Sequence, residues 1–487
     1  MGKTVVSRPE VENQALSVKR AQVEFHNFAS LGEPDRAMAA YLEENVRRGA
    51  LIRNHLDFIG PLSPFLEIGA NVGHTSYMMA NEFGAGGFAL DISADALRHG
   101  VVLQDKWGFT NAPVRVAGDA VNLPFADGSL RLVLTFQTLS QFMDLDRVFT
   151  EVKRVLAPGG VFLFAEEPIK RLLSMRLYRC AYYDTMKPWE RKLHDWGLLG
   201  YIVQDVIGAN QEESFGIRQN HTMYLNDWDA LIRRHFAARE LDLFVPERGW
   251  GERVMKRIGT RLDPYHSVWR AARLLGGTLA AACRKEGEAR ATSFDLSRFE
   301  QYLRCPDCHG RVHRNELDTL ICDVCDYRSA NEGSVYNLLR STDKSELYPG
   351  DRDDVIDFSL PSHAAKLRGG WYDVEGVYGN KFRWMGNRAA AVLKPVHPGP
   401  QRLRLRGHTQ DLSFSQGKPA TIEILANGVR AGQWTLDRVG LFVLEPDLPP
   451  ADEYLIEILA SPEWTVATDE RTFTYNFSMI RLVPRES

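Results

Sequence analysis

From position 64 to 168 the chain repeats one pattern: a short apolar run, an acid or a glycine turn at its end, then a helical or looped return. That repeat leaves few options besides a parallel α/β sheet with ligands at its carboxyl edge. PFLEIGANVGHTS (64–76) supplies a strand, then Gly69 and Gly73 in a tight turn, then the helix-like TSYMMANEF. Glycines placed there let the backbone approach a ligand closely. The spacing is not GxGxxG, which weakens a dinucleotide reading. GFALDIS (87–93) is a second strand ending in Asp91, where a carboxylate can accept both hydroxyls of a ribose. VRVAGDA (114–120) is a third, ending in Asp119. LPFADGSLRLVLTFQTL (123–139) gives a turn and a fourth strand, Leu130–Phe136. Val148, Phe149, Val152, Val155 and Leu156 then fall on one helical face, which Asp144 or Asp146 can cap. Pro158 and the two glycines after it end that helix, and VFLFAEEP is a fifth strand.

Together these stretches resemble the class I S-adenosylmethionine-dependent methyltransferases, especially the small-molecule group, over roughly residues 60–168. EIGANVG is similar to the family's first motif, with Ala70-Asn71 replacing the more usual pair. The resemblance implies a Rossmann-like sheet that binds S-adenosyl-L-methionine. It places Gly69, Asn71 and Gly73 at the methionine part and Asp91 with Ile92 at the ribose. Asp119 and Ala120 fall at the adenine, and Glu67 and Phe136 flank the cofactor. It also implies final strands, which fit 239–246 and 276–285. The aromatic, charged stretch after the fifth strand resembles a lid over the acceptor; a lid excludes water from a reactive methyl group. Within it His221 is the expected general base, since histidine titrates near neutrality. Tyr224 lies three residues on, so the two can share a helical face. Glu166, ending the fifth strand, is the second choice.

Cys305, Cys308, Cys322 and Cys325 hold four of the six cysteines, in two Cys-x2-Cys pairs thirteen residues apart. Two such turns complete a tetrahedral thiolate site, and four sulfurs leave no open position, so the expected metal is a structural Zn2+. The isolated Cys180 and Cys283 read as buried apolar fillers. The surroundings, from LRCPDC to GSVYNLL, resemble a zinc-ribbon family that includes the activator subunit of tRNA and translation-factor methyltransferases. The catalytic partners of that subunit often carry an Asn-Pro-Pro-aromatic motif after the fourth strand; here the place reads TFQTL. Methylation of RNA or of a translation protein is therefore the alternative, and an oxygen or carbon acceptor the leading expectation.

Downstream of about Gly369, short alternating strands such as ATIEIL and YLIEIL with turn signals such as Asn427-Gly428 predict an antiparallel β-sandwich. It resembles accessory modules of bacterial surface-polysaccharide enzymes, with Trp371, Tyr372 and Trp384 as candidate sugar platforms. The expected layout is an N-terminal helical segment at 1–55 and a methyltransferase domain at 56–287 with a lid at about 169–235. A zinc ribbon at 298–340, a linker at 341–368 and the sandwich at 369–487 follow. Such an enzyme O-methylates a small or carbohydrate-linked acceptor, such as a surface-polysaccharide or lipid-linked glycan precursor, alongside glycan-biosynthesis enzymes. A non-catalytic scaffold with a glycan-binding sandwich is a further alternative.

Bulk properties narrow the setting. The net charge of −4 gives no general attraction to nucleic acid or an anionic membrane, though it allows a local basic patch. No apolar run reaches the length of a membrane span. The polar start lacks the apolar core of a signal peptide, so a reducing cytoplasm is expected.

Overall fold

The computed structural model describes residues 19, 23, 34–142, 144–173, 178–180, 187–196, 198, 203–206, 223–244, 259–289, 294–377, 380–415, 417–436 and 440–485. Two compact units divide near position 341.

In the first unit, strands β1 (Phe65–Ile68), β2 (Gly87–Asp91), β3 (Val114–Ala117), β4 (Leu130–Phe136) and β5 (Leu156–Ile169) run parallel. β6 (Ala238–Leu243) and β7 (Gly277–Arg284) complete the far side, with β7 antiparallel to both β5 and β6. Every residue of β1, β2, β3 and β4 is buried, as a parallel sheet covered on both faces requires. The associated helices are α1 (Pro34–Asn54), α2 (His74–Glu82), α3 (Ala94–Trp107), α4 (Leu145–Val155), α5 (Leu225–His235) and α6 (Ser267–Leu275). Of the two aspartates able to cap α4, Asp144 does so, accepting from the Arg147 N–H at 3.1 Å. The helix buries Val148, Phe149, Val152 and Val155.

The cysteine segment is not a separate bead. Its strands β8 (Val312–Arg314), β9 (Thr319–Cys322) and β10 (Arg328–Ala330) form a small antiparallel sheet. The next strand, β11 (Val335–Asn337), joins the large sheet parallel to β3. The full order is β11-β3-β2-β1-β4-β5-β7-β6. The Leu338 N–H donates to the Ala117 carbonyl at 2.7 Å, extending this edge pairing. Val312, Leu320, Tyr327 and Tyr336 belong to the same apolar cluster as Phe88, Val116 and Phe125 of the central domain.

Two expectations are corrected here. The lid was taken to run to about 235, but α5 buries Leu225, Trp228 and Ile232 in the central core and belongs to the catalytic fold. The stretch 341–368 was taken as a linker. It folds instead: β12 (Val355–Asp357) pairs with the last strand of the second unit, and Ile356 and Phe358 sit in that unit's core.

The second unit has two large antiparallel sheets and a hairpin that pairs Trp464–Val466 with Asp469–Phe473. One large sheet contains β13 (Trp371–Val377), β14 (Asn380–Met385), β16 (Gln401–Thr409), β19 (Gly440–Leu444) and β21 (Asn476–Pro484), with β12 beside β21. The other runs β15 (Arg388–Leu393), β20 (Tyr454–Ser461), β17 (Ala420–Ala426), β18 (Val429–Leu436). Alternate residues such as Ile422, Ile424, Ile456 and Ile458 point into one shared apolar cluster. The candidate sugar platforms are largely committed to packing. The Trp371 indole donates to the Ala390 carbonyl at 2.8 Å. Trp384 is buried edge-on against Trp464 and Phe473. The Tyr372 hydroxyl donates to the Thr472 carbonyl.

Candidate active site and cysteine site

Strand register brings the sequence-predicted residues to one edge. Ile68 pairs with Leu90 and Thr135, Asp91 with Ala117, and Phe136 with Ala165. Gly69, Asp91, Asp119, Phe136 and Glu166 therefore stand at the same carboxyl end. Gly69 has φ +71°, and a Cβ there would meet the Thr138 side chain at 2.3 Å, so only glycine fits. Asn71 is also left-handed, at φ 52°, and Gly73 begins α2 at φ 80°. A backbone strained in this way at a strand's carboxyl end is a mark of ligand sites.

Asp91 is the fixed point of this turn. Its buried carboxylate accepts the Asn71 N–H at 2.8 Å and the Ser93 N–H at 2.9 Å, one bond to each oxygen. Each oxygen keeps a further lone pair for a ligand. Ile92 is half-buried beside it. Asp119 pairs with Lys19 at 2.7 Å and accepts the Val121 N–H at 3.0 Å, and Ala120 is buried next to it.

Two buried glutamates brace the edge. Glu67 accepts the Ser76 hydroxyl at 2.5 Å; burial pushes its carboxyl up to about 7, against that hydrogen bond and the Arg48 charge. Glu167 accepts the N–H groups of Thr138, Leu139 and Ser140 at 2.9, 2.7 and 3.0 Å. It thus holds the loop after β4, and burial pushes it up to about 7 as well, even against those three donors.

The sequence reading expects a helical segment here but gives α1 no part in the site. Tyr41, Glu44, Asn45 and Arg48, at i, i+3, i+4 and i+7, form one polar stripe that grips the glycine turn. Tyr41 stacks on His74 with centroids 4.5 Å apart. The Asn45 amide donates to the His74 carbonyl at 3.1 Å. Arg48 pairs with Glu166 at 2.8 Å and Glu44 at 3.2 Å, donates to the Thr75 hydroxyl, and lies 4.7 Å over the Phe136 ring. Burial pushes Glu44 up, but its His74 hydrogen bond and the Arg48 charge outweigh this and hold it at about 2. The spacing of YLEENVRR (41–48) was the available signal.

The catalytic candidates separate. Glu166 is buried, and one of its carboxylate oxygens pairs with Arg48 at 2.8 Å. Tyr224 is the N-cap of α5, with extended backbone at φ −80° and ψ 159°. Tyr224 thus stands just before the first turn of α5. Its ring lies 4.8 Å from the Lys170 ammonium. His221 lies outside the described residues.

Cys305, Cys308, Cys322 and Cys325 place their sulfurs within 4.8 Å of one another, the closest pairs 3.4 and 3.6 Å apart. A tetrahedral Zn–S site spaces its sulfurs by roughly 3.8 Å, so the set fits that ion. The cysteine segment also holds the loop after β3. The Asn122 amide donates to the Pro306 carbonyl at 3.0 Å, and Asn122 meets His309 at 3.3 Å. The Arg304 N–H donates to the Pro124 carbonyl at 3.1 Å, and the Ala126 N–H to the Tyr302 carbonyl at 2.8 Å. Cys283, by contrast, is a buried filler.

Residues 66–164 match the family described as "Methyltransferase domain". This part of the chain is a methyltransferase domain on a Rossmann-like sheet. The chain is 34% identical over 134 residues to a malonyl-[acyl-carrier protein] O-methyltransferase of Geobacter sulfurreducens, covering 26% of this chain and 48% of that protein. It is 27% identical over 128 residues to norajmaline N-methyltransferase of Rauvolfia serpentina, covering 26% and 41%. With an arsenite methyltransferase of Aquipseudomonas alcaligenes it shares 30% over 233 residues, covering 46% and 58%. The chain thus spans about half the length of these relatives or little more. Among solved structures, geranyl diphosphate C-methyltransferase of Streptomyces coelicolor is similar at 12% identity and a TM-score of 0.33, covering 55% of this chain and 98% of that one.

Two outcomes follow. Glu67 keeps its proton in the folded state between about 4.5 and about 7, where the unfolded chain has lost it. Wild-type stability should therefore fall as pH rises through that window, by up to about 3 kcal/mol. Denaturant unfolding of Glu67→Gln at the two ends of the window should show this part of the slope removed. For the cysteines, Cys305→Ser with Cys322→Ser should abolish bound metal by elemental analysis. Because β11 shares the sheet, calorimetry should show the whole first unit melting lower rather than the hairpin alone.

Proposed function

We infer that this chain is an S-adenosylmethionine-dependent methyltransferase that O-methylates a small or carbohydrate-linked acceptor, such as a surface-polysaccharide or lipid-linked glycan precursor. The observation that carries the cofactor assignment is Asp91, a buried carboxylate oriented by the Asn71 and Ser93 amides beside a turn that only glycine can make. Gly69, Asn71 and Gly73 would hold the methionine part, Asp91 and Ile92 the ribose, and Asp119 and Ala120 the adenine, between Glu67 and Phe136. The bound cofactor supplies an electrophilic methyl group on sulfur.

The chain's own part is chiefly positioning. Glu167 fixes the loop after β4, and Arg48 clamps α1 over the glycine turn through Thr75 and Glu166. With Glu166 held in that pair, His221 is the proposed base for a hydroxyl acceptor. The cysteine cluster is proposed to hold a structural Zn2+, and the second unit to be a β-sandwich accessory domain. The ribbon's likeness to a methyltransferase activator favours RNA or a translation protein as the second reading. Gln137-Thr138-Leu139, in place of Asn-Pro-Pro, speaks against it. The intact Asp91 hook speaks against a non-catalytic scaffold.

Asp91→Ala should bind S-adenosylmethionine more weakly by roughly 1.5–3 kcal/mol, the scale of a hydrogen bond to a charged group. Calorimetric titration of the folded variant reads this directly. Unchanged affinity would remove the basis for placing the ribose at β2.

A further inference from the structure

Four leucines stand exposed together beyond the carboxyl end of β5. Leu172 and Leu173 follow that strand, and Leu274 and Leu275 end α6. Their side chains are 51, 58, 50 and 44% exposed. The backbone beneath them is fixed. The Leu172 N–H donates to the Arg273 carbonyl at 3.0 Å and the Leu173 N–H to the Leu274 carbonyl at 2.9 Å. These bonds tie the segment after β5 to two end carbonyls of α6. On its other face α6 buries Val268, Trp269 and Ala272, so the helix is anchored while its leucines point outward. A contiguous, rigidly presented apolar patch of this kind marks an interaction surface.

The charges around it select the partner. Lys170 borders the patch from β5, and Arg270 and Arg273 are exposed on α6. None of the three makes an ion pair with a described residue. Lys170 and Arg273 also line a cavity of about 190 Å³ with Tyr224 and Asp227. The acid in that cavity is engaged, since Asp227 accepts the Tyr224 N–H at 3.1 Å. In a chain of net charge −4, this local excess of cations around leucines is the pattern of a peripheral lipid-binding surface. No described helix is long and apolar enough to cross a membrane, so contact would be from one side.

We propose that Leu172, Leu173, Leu274 and Leu275, with Lys170, Arg270 and Arg273, dock this edge of the sheet onto an anionic lipid bilayer. The cavity beside Tyr224 then faces the membrane's headgroup layer. Resting on the methyltransferase reading above, this deepens it: the acceptor is one presented at a lipid surface.

The test is co-sedimentation of the full chain with vesicles of phosphatidylcholine, alone or with one third phosphatidylglycerol, at low and high salt. The wild type should sediment with the anionic vesicles and release in high salt. Leu173→Glu with Leu274→Glu should bind them about tenfold less tightly or worse. Arg270→Gln with Arg273→Gln should lose roughly 30-fold on anionic vesicles and little on neutral ones. Should the leucine variant misfold, this arginine pair, at exposed positions, still decides. A wild type that stays in the supernatant overturns the proposal, as do variants that sediment like wild type. So does a self-association or acidic-protein complex that protects the leucines from solution while vesicles do not. Calorimetric cofactor affinity, read on the same samples, is independent. Docking without cofactor binding would count against the enzymatic reading alone, and cofactor binding without docking against this proposal alone.

Discussion

The three-residue pairing of Val335–Asn337 with β3 is the contact on which the first unit's architecture turns. A parallel sheet leaves an edge of unpaired amides and carbonyls, which a protein must cover. Here the chain covers it with its own later segment, brought back by a four-cysteine hairpin. That one strand aligns the hairpin so that Pro306, His309, Arg304 and Tyr302 reach the loop after β3. The same loop carries Asp119 and Ala120. The cysteine cluster thereby becomes part of the wall of the proposed cofactor site, although it stands more than 180 residues downstream in sequence.

A second grip acts on the glycine turn itself. α1 reaches His74, Thr75 and Glu166 through Tyr41, Glu44 and Arg48. Arg48 balances the buried Glu166 and the half-buried Glu44, and removing it would leave charge stranded in the interior. The glycine turn thus takes its rigidity from α1 and from Asp91, as a site that must hold a ligand without reorganising requires.

How far the sequence could be read follows from how local each signal is. The strands, their terminal acids and the glycine turn are written within a few residues of each other, and the register places them as expected. The four cysteines are likewise local, and their sulfurs converge. The misses are long-range. GSVYNLL carries no mark that it pairs with β3, since an edge strand of three residues has no periodicity of its own. The α1 stripe is visible as helical spacing, but its partners lie 26 to 118 residues away. The polar stretch 341–368 reads as a linker because its buried apolar residues, Leu347, Val355, Ile356 and Phe358, are scattered among polar ones. The presumed lid end, LNDWDALIRRH, buries one amphipathic face, which its aromatic and charged composition obscured.

The central claim is that the cysteine hairpin sets the adenine-side loop and so sets cofactor affinity. Stripping bound metal with a chelator, and titrating the protein with S-adenosylmethionine while its sheet signal persists in circular dichroism, tests this most directly. The account predicts affinity about tenfold weaker or worse, restored when zinc is returned. Metal-free protein that keeps its sheet and binds the cofactor as tightly as the loaded form would contradict it.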